Sequence, residues 1–199
     1  TLQAWKRNIS GAPDLLEARL CFERPTLVAA DLWPALVTVA APREEAARAG
    51  GVLTPEAAEA LDILDRKGVM PVERLRQMVG LDPDAFARVH AELEARLRAL
   101  AGGDVDEDDN PITVVEPLGR WAERALQRKV DLEVGRAWTF LFIAALRSAV
   151  VLWPEEIEAI FPWTHEEREA AIAEAMTTGT LITYNEVDST AWVASPVPR

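Results

Sequence analysis

Apolar residues recur at helical spacing along most of this chain, and they do so twice in the same order. The clearer case runs over residues 131–194. A long apolar stretch from about Asp131 carries Trp138, Leu141, Phe142, Ala145 and Leu146 on one helical face. Pro154 opens a short helix with Ile157, Ile160 and Phe161, and Pro162-Trp163 makes a turn. Thr164 is placed to cap a third helix, with Glu167 completing a capping box. Ala171, Ile172, Ala175 and Met176 are expected on its core face, and Gly179 ends it. The period then changes. Leu181-Ile182-Thr183-Tyr184 and Thr190-Ala191-Trp192-Val193 flank a polar turn and predict a hairpin.

Residues 54–118 repeat the pattern in fainter form. Thr54-Pro55 is a favoured helix start, Ala57, Ala60, Leu61 and Leu64 keep helical spacing, and Gly68 stops the run. Pro71 opens a helix with Val72, Leu75, Met78 and Val79 on one face. Asp82 or Asp84 caps a third helix whose apolar face is Phe86, Val89, Leu93, Leu97 and Leu100, broken by Gly102-Gly103. Ile112 to Val115 is β-branched and strand-like, so the acidic run of residues 104–110 would be a solvated hairpin tip. A shift of 83 residues carries Pro71 onto Pro154, Met78 onto Phe161, Val89 onto Ile172 and Leu93 onto Met176.

Ahead of both copies, Asp14 is expected to cap a helix carrying Leu15, Leu16, Arg19, Leu20 and Cys21, ended by Pro25. Thr26-Leu27-Val28 reads as a short extended piece. Asp31 caps a further helix through Trp33, Leu36 and Val39, with Pro34 in its first turn, and residues 42–51 form a connector. Residues 118–129 read as a linking helix on which Arg120, Arg124 and Arg128 fall at i, i+4 and i+8, with Lys129 adjoining. The expected fold class is mainly α with small β wings, built from tandem winged-helix (helix-turn-helix) domains. Its divisions are an N-terminal helical extension over 1–53, a first winged helix over 54–118, and a linker helix with a second winged helix over 119–199.

Charge complicates the obvious reading of such a fold. The net charge is −12. Basic and acidic residues number six and six over 1–53, seven and fifteen over 54–118, and eight and twelve over 119–199. Neutralising phosphates supplies most non-specific affinity for nucleic acid, so a DNA-gripping domain normally shows a basic face. The third helix is the expected reader in the major groove, yet one copy begins with Asp82 and Asp84 and the other offers His165 and Arg168 among Glu166, Glu167, Glu169 and Glu174. The ridge of Arg120, Arg124, Arg128 and Lys129, joined by Lys6 and Arg7, is the better phosphate-binding candidate. Against it stands an exposed linker helix whose arginines pair with acidic neighbours, and this plainer reading carries the greater weight.

Other chemistry is sparse. Cys21 is the only cysteine, which excludes a disulfide within the chain and fits a reducing cytoplasm. Its neighbours Leu20 and Phe22 favour burial over reactivity. His90 and His165 lack the second His, Cys or spaced carboxylate of a zinc site. The run of Asp104, Asp106, Glu107, Asp108 and Asp109 lacks the glycine and terminal glutamate of a calcium loop. No cofactor and no catalytic residue are expected. No apolar run approaches the roughly 18 residues of a membrane span, the longest being residues 138–146. The chain opens at Thr1 rather than Met, which leaves open a native segment ahead of it.

Glu23-Arg24-Pro25-Thr26-Leu27-Val28 followed by Asp31-Leu32-Trp33-Pro34 resembles a recurring stretch in bacterial proteins related to the AlkZ/YcaQ-type alkyl-DNA glycosylases. The start at Ala4-Trp5-Lys6 and the two successive helix-turn-helix units fit the same group. The resemblance implies tandem winged helices and a link to double-stranded DNA. It does not bring the chemistry, because those glycosylases carry a Gln-x-Gln or Gln-x-Asp motif, and none of Gln3, Gln77 and Gln127 is followed two positions later by Gln or Asp. Three readings remain: a DNA-associated protein without catalysis, an acidic protein–protein interaction module on the same scaffold, and a glycosylase whose catalytic segment precedes Thr1.

Overall fold

The computed structural model describes residues 14–48, 53–105, 111–126, 131–149, 151–186 and 189–194. It is mainly helical with small antiparallel sheets. A hairpin of β1 (Leu15–Arg19) and β2 (Pro25–Ala29) leads into helix α1 (Trp33–Arg48). There follow α2 (Pro55–Lys67), the two-residue strand β3 (Met70–Pro71), α3 (Val72–Val79), α4 (Pro83–Ala95), β4 (Ala99–Val105) and β5 (Pro111–Pro117). Helix α5 (Leu118–Ala125) connects to α6 (Val134–Ala149), α7 (Pro154–Ile160), α8 (His165–Thr177), β6 (Leu181–Glu186) and β7 (Ser189–Ala194).

Two stretches share one topology: helix, short strand, helix, helix, hairpin. In the first, β3 adds to the outer side of the hairpin in the order β3-β5-β4, with Met70 opposite Val115. In the second, the short strand is reduced to one residue. Leu152 bridges to Trp192, exchanging backbone hydrogen bonds of 3.2 and 3.0 Å. The structural shift is one residue shorter than the sequence pattern suggests. An offset of 82 (152 − 70) carries Met70 onto Leu152, Leu64 onto Leu146, Leu75 onto Ile157, Leu93 onto Ala175 and Ala99 onto Leu181, all buried. The same offset superposes the caps Asp82 and Thr164.

Local chemistry fixes several ends as expected. The Thr54 hydroxyl accepts from the Ala57 N–H at 3.4 Å, and Pro55 occupies the first turn. Asp82 accepts from the Ala85 N–H at 2.8 Å. Thr164 and Glu167 form the reciprocal capping box. Gly68 ends α2 at φ 84°, where a Cβ would meet the Arg120 guanidinium at 2.7 Å.

Elsewhere the expectations need correction. Residues 15–19 form a strand, not a helix, because Leu16 and Ala18 alternate inward and pair with Val28 and Thr26 of β2. Helix α4 stops at Ala95. Leu97 lies beyond it at φ 54°, Leu100 belongs to β4, and Gly102-Gly103 continue that strand rather than breaking a helix. Helix α1 runs on to Arg48, through most of the expected connector. Met78 and Met176 are exposed, not core. The acidic tip over 106–110 lies outside the described residues.

Packing groups the chain into two cores. One holds Leu61, Leu64, Leu75, Phe86, Val89, Leu93 and Val115 of the first stretch. The other joins Leu16 and Val28 of the N-terminal hairpin and Leu36 and Val39 of α1 to Trp138, Phe142 and Leu146 of α6, and it also takes in Leu97, Leu100 and Leu118. The N-terminal segment therefore shares its core with the last third of the chain.

Candidate nucleic-acid interface and its neighbours

Helix α5 sets Arg120 and Arg124 one turn apart, both exposed. Each is already engaged. The Arg120 guanidinium donates to the Asp65 carbonyl at the end of α2. Arg124 makes a two-pronged ion pair with Glu116, its Nη2 lying 2.7 Å from Oε2. Glu116 is buried, and its hydrogen bond pushes the Arg124 pKa up from its ordinary value. Glu116 would be costly to leave without its partner, so Arg124 is tied to the protein interior. Of the remaining candidates, Arg128, Lys129, Lys6 and Arg7 lie outside the described residues.

The third helices present mixed surfaces. On α4, Asp84 and Arg88 are exposed; just past the helix, Arg96 sits 3.6 Å from Glu92 and Arg98 is buried. On α8 the one arginine, Arg168, is spent locally. It lies 3.2 Å from Glu158 of α7, 3.3 Å from Glu169 and 2.7 Å from the His165 ring.

Beside Arg168 opens a groove of about 520 Å³ between α7, α8 and β7. Ile157, Ile172, Met176 and Trp192 supply its apolar lining, and Glu155, Glu158 and Glu169 stand with Arg168 along it. Met176 keeps 49% of its surface exposed there. Helical spacing alone puts Ile172 and Met176 on a core face. The correct 82-residue offset would have flagged Met176, because it aligns that residue with Glu94 (176 − 94) rather than with buried Leu93.

The corresponding ridge of the first stretch, Phe86, His90 and Glu94, is covered. Phe86 is 4% exposed and stacks on His90 at 6.1 Å. Arg19 of β1 reaches the ridge from outside that stretch, its Nε 2.8 Å from a Glu94 oxygen. The His90 Nδ1 lies 3.7 Å from the same carboxylate, and its buried Nε2 has no hydrogen-bond partner among the described residues. Burial, only partly offset by Glu94 and reinforced by Arg19, lowers the His90 pKa.

A second pocket, about 320 Å³, lies between the N-terminal hairpin and α6 and is lined by Leu27, Leu141, Phe161 and Cys21 among others. Burial pushes the Cys21 thiol up despite an opposing hydrogen bond from Thr26, which leaves little thiolate at neutral pH. Among the described residues no group of three His, Cys, Asp or Glu side chains is arranged to hold a metal ion, and no helix is long and apolar enough to cross a membrane. Comparison with protein-family models and with curated proteins finds no match to the chain.

Proposed function

We propose that each of the two repeated stretches is a winged helix, and that the chain works as a protein-interaction module on this scaffold rather than as a reader of DNA. The helix–strand–helix–helix–hairpin order, with the short strand paired to the second hairpin strand, supports the first half of the reading. One observation carries the second half. The groove beside α8 combines an open apolar lining with a carboxylate majority, Glu155 and Glu158 of α7 joining Glu169 of α8, and its one arginine is held by Glu158 and Glu169. Phosphates would meet like charge there. The kinship we propose with the AlkZ/YcaQ-type glycosylases rests on the stretch over 23–34. That stretch serves packing: Val28 is buried, and the Trp33 indole donates to the Val28 carbonyl at 3.1 Å. We assign it no catalytic residue.

The competing reading, contact with double-stranded DNA through Arg120, Arg124, Arg128 and Lys129, draws its support from exposed Arg74 and Arg88 on the first stretch. Fluorescence anisotropy with a generic duplex at about 50 mM and higher salt separates the two. The expected result is no binding at either salt. Binding with a steep salt slope that Arg120→Ala, Arg124→Ala and Arg128→Ala together flatten would overturn the proposal in favour of DNA.

A further inference from the structure

We infer that the groove between α7, α8 and β7 is a docking site for a short protein segment that alternates apolar and basic side chains. This inference rests on the interaction-module reading. Three observations carry it. First, the groove has the size of a ligand pocket, about 520 Å³ within the usual roughly 300–1,000 Å³. Its lining of Ile157, Ile172, Met176 and Trp192 suits apolar anchors, and methionine adapts its shape to a partner.

Second, the charge along it has one sign in excess. Glu155, Glu158 and Glu169 face a single Arg168, so a cationic partner gains attraction and an acidic one is repelled.

Third, the matching ridge of the first half is covered where this one is open. Under the 82-residue offset, Arg168, Ile172 and Met176 correspond to Phe86, His90 and Glu94 (168 − 86). That earlier ridge is covered, and the side chain that reaches it from elsewhere in the chain is a basic residue on an extended strand, Arg19 on β1. Strand β1 touches that ridge through Arg19 alone in the hydrogen bonds above, its buried Leu16 and Ala18 packing instead into the core shared with α6. The second ridge has no such cover among the described residues: Met176 and Ala173 are exposed. With three carboxylates against one arginine beside this apolar lining, the occupant that fits is a segment of apolar and basic side chains supplied by another protein.

The test uses the whole chain and three labelled synthetic peptides: alternating leucine and arginine, the same peptide with glutamate for arginine, and the same with serine for leucine. Anisotropy should rank the first tightest. Met176→Asp should weaken it about tenfold or more, although that change makes the protein more acidic. Glu155→Gln with Glu169→Gln should also weaken it, while the charge-matched Glu56→Gln with Glu59→Gln on the remote α2 should leave it unchanged. Circular dichroism confirms that each variant is folded. Equal binding of all three peptides, or binding indifferent to Met176→Asp, overturns the docking site. So does self-association of the wild-type chain that Met176→Asp abolishes, since the occupant would then be a second copy. A parallel titration with generic duplex keeps the two ideas separate. Arginine-dependent DNA binding sinks the interaction-module reading itself, whereas peptide failure without DNA binding sinks only the groove.

Discussion

His90 and the Arg19 guanidinium share the Glu94 carboxylate, and the other ring nitrogen of His90 is buried without a partner among the described residues. Its pKa lies below the ordinary value, chiefly through burial. An unfolded histidine titrates near 6.5, so between that value and the lower folded one the unfolded chain binds more protons. Stability then rises with pH across this window, and the penalty is absent above about 6.5. The wild-type melting temperature should therefore fall more steeply than that of His90→Gln as pH drops from about 7 to 5.5. Parallel slopes for the two proteins would show that His90 contributes nothing. Leu97 poses a different balance. Its left-handed backbone costs about 1–2 kcal/mol, while burying a leucine returns about 1.5–3 kcal/mol. At 1% exposure the burial wins, and a leucine stands where a glycine would relieve the turn.

Among the elements, α2 depends on a cap that also reaches across the unit. The Thr54 hydroxyl accepts from Ala57 and donates to Glu92 of α4 at 2.7 Å, and the Thr54 N–H donates to the same carboxylate. Thr54→Ala should cost about 1–2 kcal/mol, more than Asp82→Ala, whose recorded cap bond is purely local. Urea denaturation of the two variants measures the difference, and equal losses would deny the cross-helix contact any weight. Such ends were legible in the sequence because capping is local: Thr54-Pro55, Pro154, and Thr164 with Glu167 each announce themselves within four residues. Strand β1 was not, because Leu15, Leu16 and Leu20 satisfy a helical period too, and only pairing with β2 decides between them. The arginine spacing on α5 was legible, but its engagement was not. Arg120 finds Asp65 from 55 residues away, and no period in the sequence reports that. The exposure of Met176 was hidden for a subtler reason: the helix-opening prolines sit one residue out of step with the core positions they precede.

At the scale of the whole molecule, the division of the core matters more than the order of the elements. Leu36 of α1 is fully buried in the core that Trp138, Phe142 and Leu146 build from α6. Leu36→Ala should cost about 2–5 kcal/mol. In hydrogen exchange the lost protection should appear in α1 and α6 and spare α2, while loss spread evenly over both cores would mean that they unfold as one. Gly68, in the first stretch, leaves just enough room for the Arg120 guanidinium to lie over it and reach the Asp65 carbonyl. A methyl group there would force that guanidinium to shift from its seat. Gly68 is thus both the stop of one helix and the seat of a fastening from the next, so any side chain there would loosen α5 from the end of α2 while leaving the chain's charge as it was.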